Sequence, residues 1–200
     1  KNYEEKERIS FARLNLAAGE RSIQSSAFIP ALSYLKVGLS MLKRNELFSS
    51  ELYDTSLRLF SSIAETELVN GNTGEVEAAA AIISKHALRV IDTFPSQLSL
   101  LKAYSAHANY DKVISIGFDL LAKLGVRFPK SAGIPTIVRD LIKTKMSLRG
   151  KTDEKLKQLP NMENESKVAA MRMLSFLYGK CYIARQDMMP LITFRMIRLS

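Results

Sequence analysis

Cysteine is almost absent. Cys181 is the single one, so no internal disulfide can form, and the chain is not a small secreted scaffold held by cross-links. A reducing compartment, and hence a cytoplasmic location, is the expectation. Cys181 lies in the apolar-periodic run Val168 to Tyr182, where a small thiol reads as a packing residue, because a nucleophilic thiol needs exposure and a basic partner. Histidine is nearly as scarce. His86 and His107 are the only two. Each falls near an expected helix end, and neither has a cysteine, histidine or carboxylate at ligand spacing, so no metal site and no cofactor are expected.

Long hydrophobic runs are missing as well. No stretch approaches the eighteen or so apolar residues that a bilayer span needs, and Lys1 to Arg8 carries charges of both signs with no apolar core behind it. Neither a membrane span nor a signal peptide is visible. The sequence opens on Lys1 and not on methionine, which makes a fragment or a processed product the expectation. Nine glycines and six prolines are too few for a loop-rich chain, and the segments between them carry Leu, Ala, Lys, Glu and Met, all good helix formers. With 200 residues, 46% hydrophobic and 24% charged, the chain can bury a core, and an all-α fold follows.

A repeat at an offset of 82 residues organises the sequence. Ala18, Gly19, Ser22, Phe28, Ala31 and Leu35 are matched by Leu100, Leu101, Tyr104, Tyr110, Val113 and Gly117. An aromatic at the start of a second helix, followed by small or apolar residues three and seven positions on, lets two helices cross closely. This is the pattern of a tetratricopeptide-like hairpin. One hairpin cannot bury its own apolar face, so a stacked α-solenoid is expected, with three hairpins over 1–130 and further helical segments of the same array over 131–200, cut at the C-terminus.

Periodicity and turn signals place the helices. The first hairpin pairs Glu4–Ser25 with Phe28–Leu42, Pro30 falling in the first turn of its helix, where no amide partner is lost. The second pairs Ser50–Val69 with Glu75–Leu88 across the turn Asn70–Gly74. The third spans Pro95–Leu124, Ser96 acting as a cap or first-turn residue, and Gly125 stops it. Pro129 makes the stretch Gly125–Gly133 extended. An amphipathic helix Pro135–Leu148 should turn Ile137, Val138, Leu141 and Ile142 inward and Arg139, Lys143, Lys145 and Arg149 outward. A small helix Asp153–Gln158 and a final pair, Glu165–Ala184 and Met188–Ser200, complete the chain. The match to Asn-x-Ser at Asn164–Ser166 reads as a helix N-terminus and not as a glycan acceptor.

The runs ARLNLAAGERSIQSSAFIPALSYLKVGLSML (Ala12–Leu42), LLAKLGVRFP (Leu120–Pro129) and LKQLPNMENESKVAAMRMLSFLYGKCYIA (Leu156–Ala184) resemble the helical-repeat region of large signalling ATPases. In that family the region follows a nucleotide-binding module. It is often fused to a protein kinase domain on one side and to GAF plus histidine-kinase or cyclase domains on the other. The resemblance covers nearly the whole chain in the family's order, departing chiefly around Asn70–Glu77. It implies a linking or sensing arm, with nucleotide hydrolysis performed elsewhere in the parent.

The residues agree that the segment carries no motor of its own. Arg149-Gly150-Lys151-Thr152 ends like a phosphate loop, but Lys145 stands where the first glycine is required, and without it the backbone cannot curl around a phosphate. The stretch reads as a helix C-cap and a charged loop. No HRD or DFG triplet is present. Charge carries more information. The net charge is +9 overall, −1 over residues 1–100 and +10 over 101–200. Arg139, Lys143, Lys145, Arg149, Lys151, Lys155 and Lys157 form a candidate docking face, continuing a basic stretch that begins with Lys123, Arg127 and Lys130. Clustered charge of this kind could track a phosphate backbone or an anionic membrane surface. No aromatics interleave to stack bases, however, and no groove-reading helix is evident, so an acidic protein surface is the expected partner and nucleic acid is disfavoured. The expectation is a non-catalytic helical-repeat arm making protein or interdomain contacts. The competing classes are a segment of an enzyme whose catalytic groups lie outside this chain and a basic nucleic-acid-binding solenoid.

Overall fold

The computed structural model describes residues 4–152, 158 and 160–200, and among these there are nine α-helices and no strand. The small helix expected over 153–158 lies outside the described residues but for Gln158. The chain divides into two compact units, Lys1–His107 and Ala108–Ser200, so the two helices of the hairpin expected over 95–124 belong to different units.

The first unit holds α1 (Glu5–Gln24), α2 (Phe28–Ser40), α3 (Tyr53–Val69), α4 (Thr73–His86) and α5 (Val90–Ala106). Each helix packs on the next, and α1 on α3 and α3 on α5 also meet. The crossings are close because small residues line them. Ala12 and Gly19 of α1 are buried, and a Cβ added at Gly19 would lie 2.7 Å from the Leu35 side chain of α2. One added at Gly38 would lie 3.1 Å from the carbonyl oxygen of Ala12. Ile9, Leu16, Leu35, Leu52, Leu59 and Ile63 fill the space between α1, α2 and α3. Burying each such side chain contributes about 1.5–3 kcal/mol.

Charged groups that enter this core are paired. Glu67 of α3 is almost fully buried; Lys36 Nζ of α2 stands 2.9 Å from its Oε1, and Asn72 Nδ2 donates to its Oε2 over 2.6 Å. The Arg8 guanidinium of α1 donates to Glu46 in the α2–α3 connection, 2.8 Å to Oε1. That hydrogen bond holds the Glu46 carboxyl at about 2, well below the usual carboxylate range.

The start of α5 corrects the sequence reading. The helix begins at Val90, five residues before Pro95, because the Asp92 carboxylate caps its start from within the first turn. Its Oδ2 accepts the Arg89 N–H at 3.1 Å and its Oδ1 the Arg89 guanidinium at 2.8 Å. Tyr53 donates to Oδ2 over 2.7 Å and accepts the Leu88 N–H over 2.7 Å, tying α3 to the same corner. Four hydrogen bonds outweigh the cost of a proline past the first turn. Ser96 is therefore buried inside the helix, donating to the Thr93 carbonyl.

The second unit holds α6 (Tyr110–Lys123), α7 (Ile134–Leu148), α8 (Glu165–Ala184), a 3-10 turn (Gln186–Met188) and α9 (Met189–Leu199). Here α6 packs on α8, α8 on α9, and α9 on α7. Asn164 caps α8, its side chain accepting the Lys167 N–H at 3.0 Å. This agrees with the helix-start reading of that tripeptide. Ala169, Ala170, Met173, Leu174, Leu177 and Cys181 of α8 form one buried face. Cys181 is fully buried, and burial pushes its thiol up to about 11, which suits packing and not nucleophilic attack. Gly117 of α6 is tightly enclosed: an added Cβ would sit 2.6 Å from Leu177 Cδ2.

The LGVRFP phrase has a local physical reading. Gly125, at φ +88°, ends α6, and Val126 turns back into the core, its N–H donating to the Leu121 carbonyl at 2.8 Å. Phe128 packs on Phe118 with ring centroids 5.0 Å apart, and the Arg195 guanidinium of α9 stacks over it at 5.3 Å. Arg185 donates to the Lys130 carbonyl at 2.9 Å and pairs with Asp187, which in turn accepts the Ala132 N–H. The extended stretch is thus pinned against α6 and α9 immediately before α7 begins.

Candidate functional site

Helix α7 carries most of the sequence-predicted docking face. Gly133 caps it, Pro135 sits in the first turn, and Gly150, at φ +78°, closes the turn that follows it. Residues four apart lie above one another on a helix, so α7 resolves into four rows. Thr136, Asp140, Thr144 and Leu148 form the row that faces the protein, with Asp140 and Thr144 buried. Ile134, Val138, Ile142 and Met146 form the opposite row, and these are 78%, 47%, 53% and 70% exposed. Arg139 and Lys143 run along one edge of that apolar row, and Lys145 and Arg149 along the other, all four exposed.

This arrangement corrects the expected facing of the helix. Of the four residues expected to point inward, only Ile137 is half-buried; Val138, Leu141 and Ile142 are exposed. The reason is Arg198 of α9. Its Nη2 donates to Asp140 Oδ2 at 2.8 Å, and its Nη1 donates to the Asp140 carbonyl at 2.9 Å and to Thr144 Oγ1 at 2.6 Å. The Thr144 hydroxyl in turn donates to the Asp140 carbonyl at 2.8 Å. A carboxylate, a hydroxyl and a carbonyl converge on one guanidinium, with both ionic side chains largely out of water. Charge-assisted hydrogen bonds of this kind are stronger than neutral ones. They fix which side of α7 meets the protein, and the aliphatic row is left facing outward.

The expected outward placement of Arg139, Lys143, Lys145 and Arg149 holds, and Lys151 just beyond the helix is exposed too. Lys155 and Lys157 lie outside the described residues. The sequence reading missed the aliphatic row as part of the same surface and missed Asp140, Thr144 and Arg198 as the groups that orient it. A usable signal was present: Thr136, Asp140 and Thr144 are three polar residues at strict four-residue spacing inside a helix that, Ser147 apart, is otherwise basic or apolar.

Electrostatically the surface has one sign. Asp140 is the only carboxylate of α7 and is consumed inward by Arg198. A shallow, nearly flat patch lies along the aliphatic row, formed by Ile134, Pro135, Val138, Arg139, Ile142 and Lys143, all on α7. A surface of this composition can bury aliphatic area and steer anionic groups to its edges.

A depression of about 550 Å³ lies between α6 and the extended stretch, with Asp111, Asp119, Phe118, Phe128, Arg127 and Arg185 among its lining. Its charges are mixed, and Arg185 there is engaged with Asp187. Among the described residues no cluster of three or more His, Cys, Asp or Glu side chains could hold a metal ion, and no helix is long and apolar enough to cross a membrane. His86 ends α4, its ring stacked 4.7 Å from that of Phe48, and His107 caps the C-terminus of α5. Comparison of the chain with protein families, with curated proteins and with solved structures yields no match.

Proposed function

We propose that the chain is a non-catalytic helical-repeat arm of a larger signal-transducing ATPase or kinase, and that it works by docking protein through the outer face of α7. The observation that carries this reading is the exposed aliphatic row of α7 held between two basic edges. Burial of aliphatic area supplies affinity for a partner, and one-signed edges supply steering and register. Neither requires a catalytic group. The tetratricopeptide-like solenoid belongs to this proposal. It is supported in the first unit by helices that pack on their next neighbour and, along α1, α3 and α5, on the next but one, which is how stacked helix pairs share a core. The resemblance of the Ala12–Leu42, Leu120–Pro129 and Leu156–Ala184 runs to the repeat region of signalling ATPases supports the parent's class, and a cytoplasmic setting suits the lone buried thiol.

The test is direct. The 200-residue chain, incubated with magnesium and ATP, is expected to show no saturable nucleotide binding in equilibrium dialysis and no phosphate release above the buffer rate. Saturable ATP binding or turnover would replace the arm reading with an enzymatic one.

A further inference from the structure

The shape and charge of the α7 face narrow the partner. We infer that its occupant is an amphipathic α-helix of a protein partner, with an aliphatic seam flanked on both sides by carboxylates; this rests on the interaction-arm reading above.

The apolar surface is narrow. It consists of the row Ile134, Val138, Ile142 and Met146, widened by Pro135 on one side and on the other by Leu141, which is about one third exposed. A stripe that slim is a seam of the kind one helix offers another, not the broad apolar sector of a helix that buries a whole face. From Ile134 to Met146 it runs about 18 Å at 1.5 Å per residue, matching a partner helix of three to four turns. Arg139 and Lys143 on one edge and Lys145 and Arg149 on the other occupy the places where paired helices put their flanking charges. The single carboxylate of α7 points the other way, toward Arg198. The complement of this pattern is an aliphatic row bordered by Asp or Glu.

Charge and composition set the other occupants aside. A second copy of α7 would bring cations against cations, which costs association energy. A helix that lies in a bilayer interface combines basic flanks with large apolar anchors, Trp, Phe or Leu, and the outward row Ile134, Val138, Ile142 and Met146 holds none of the three. Nucleic acid would need stacking platforms or a reading element, and the row that faces outward is aliphatic.

The experiment uses the 200-residue chain and five probes in fluorescence anisotropy or sedimentation. The first is a synthetic four-turn helical peptide with a leucine seam and glutamates on both flanks. The second is the same peptide with lysine in place of glutamate, and the third is unstructured polyglutamate of equal charge. The fourth is a phosphatidylserine-containing vesicle, and the fifth an arbitrary DNA duplex. The acidic helix should bind with an affinity that falls as salt rises, and the other four should bind at least about tenfold more weakly. The pair Arg139→Glu and Lys143→Glu, and separately Ile142→Ser, should each weaken it by about tenfold or more. Helical circular dichroism and melting should not change, because none of these side chains faces the protein.

Equal binding of the lysine peptide would overturn the inference by showing that the flanking charges do not matter. Equal binding of polyglutamate would overturn the helix while leaving the arm reading in place, since docking would then need charge alone. Preferential binding of vesicles or DNA, abolished by the same charge reversal, would overturn both. Binding of none of the five would overturn the helix inference, and the arm reading would then stand or fall on the nucleotide assay.

Discussion

Replacing Arg198 with methionine is expected to cost the second unit about 2–3 kcal/mol, because it strands a buried carboxylate and not because it removes an attraction. Asp140 is 7% exposed and Thr144 is 4% exposed, and every partner that Arg198 satisfies there lies on α7. Without the guanidinium, the Asp140 side chain is left without its partner in poor solvation unless α7 pulls off α9. The double variant Asp140→Leu with Arg198→Met is expected to recover to within about 1 kcal/mol of the parent chain, since two apolar groups of similar size no longer demand partners. Urea denaturation followed by circular dichroism measures both. If the single variant loses less than about 0.5 kcal/mol, Arg198 is not what orients α7.

Gly117→Leu is expected to destabilise the same unit by about 3 kcal/mol through overpacking. Even a bare Cβ at this position would lie 2.6 Å from Leu177 Cδ2 and 2.9 Å from Leu177 Cδ1. Leu177 is itself fully buried on α8, and a close-packed interior gives such a side chain little room to yield. Glycine inside a helix costs about 1 kcal/mol against alanine, so its presence in α6 is explained by the contact it permits. Adding Leu177→Ala to Gly117→Leu should return part of the loss, although Leu177→Ala alone should cost about 2–5 kcal/mol by opening a cavity. That non-additivity separates a specific clash from general intolerance of change. An unchanged melting curve for Gly117→Leu would contradict the close α6–α8 crossing.

What could be read from sequence, and what could not, divides along physical lines. Helices with strong local signals were legible nearly to the residue. α8 was expected over Glu165–Ala184 and is found there, because Asn164 supplies its cap from within the sequence. α1 and α2 agree for the same kind of reason, their boundaries being set by local turns and their packing by small residues at helical spacing. The start of α5 at Val90 differs from the expected Pro95 because the Asp92 cap that sets it also draws on Tyr53, 39 residues away. The facing of α7 failed more deeply. Periodicity reports that a helix has two unlike sides, but not which of them meets the protein, and aliphatic residues read as core by default. Here the choice is made by Arg198, 58 residues distant from Asp140. The basic residues of the candidate surface were therefore visible in the sequence, and their aliphatic companions were not.

Thiol labelling tests the outward facing of that aliphatic row most directly, because Cys181 is fully buried and supplies a silent background. Single cysteines introduced as Ile142→Cys and Thr144→Cys lie two residues apart on α7 and, on this account, on opposite sides of it. Under native conditions Ile142→Cys should react with a maleimide at the rate of an exposed thiol. Thr144→Cys should react about a hundredfold more slowly or only on unfolding, since its labelling requires α7 to open. A reversed order, with Thr144→Cys fast and Ile142→Cys protected, would put the aliphatic row in the core and contradict the interaction surface proposed for this chain.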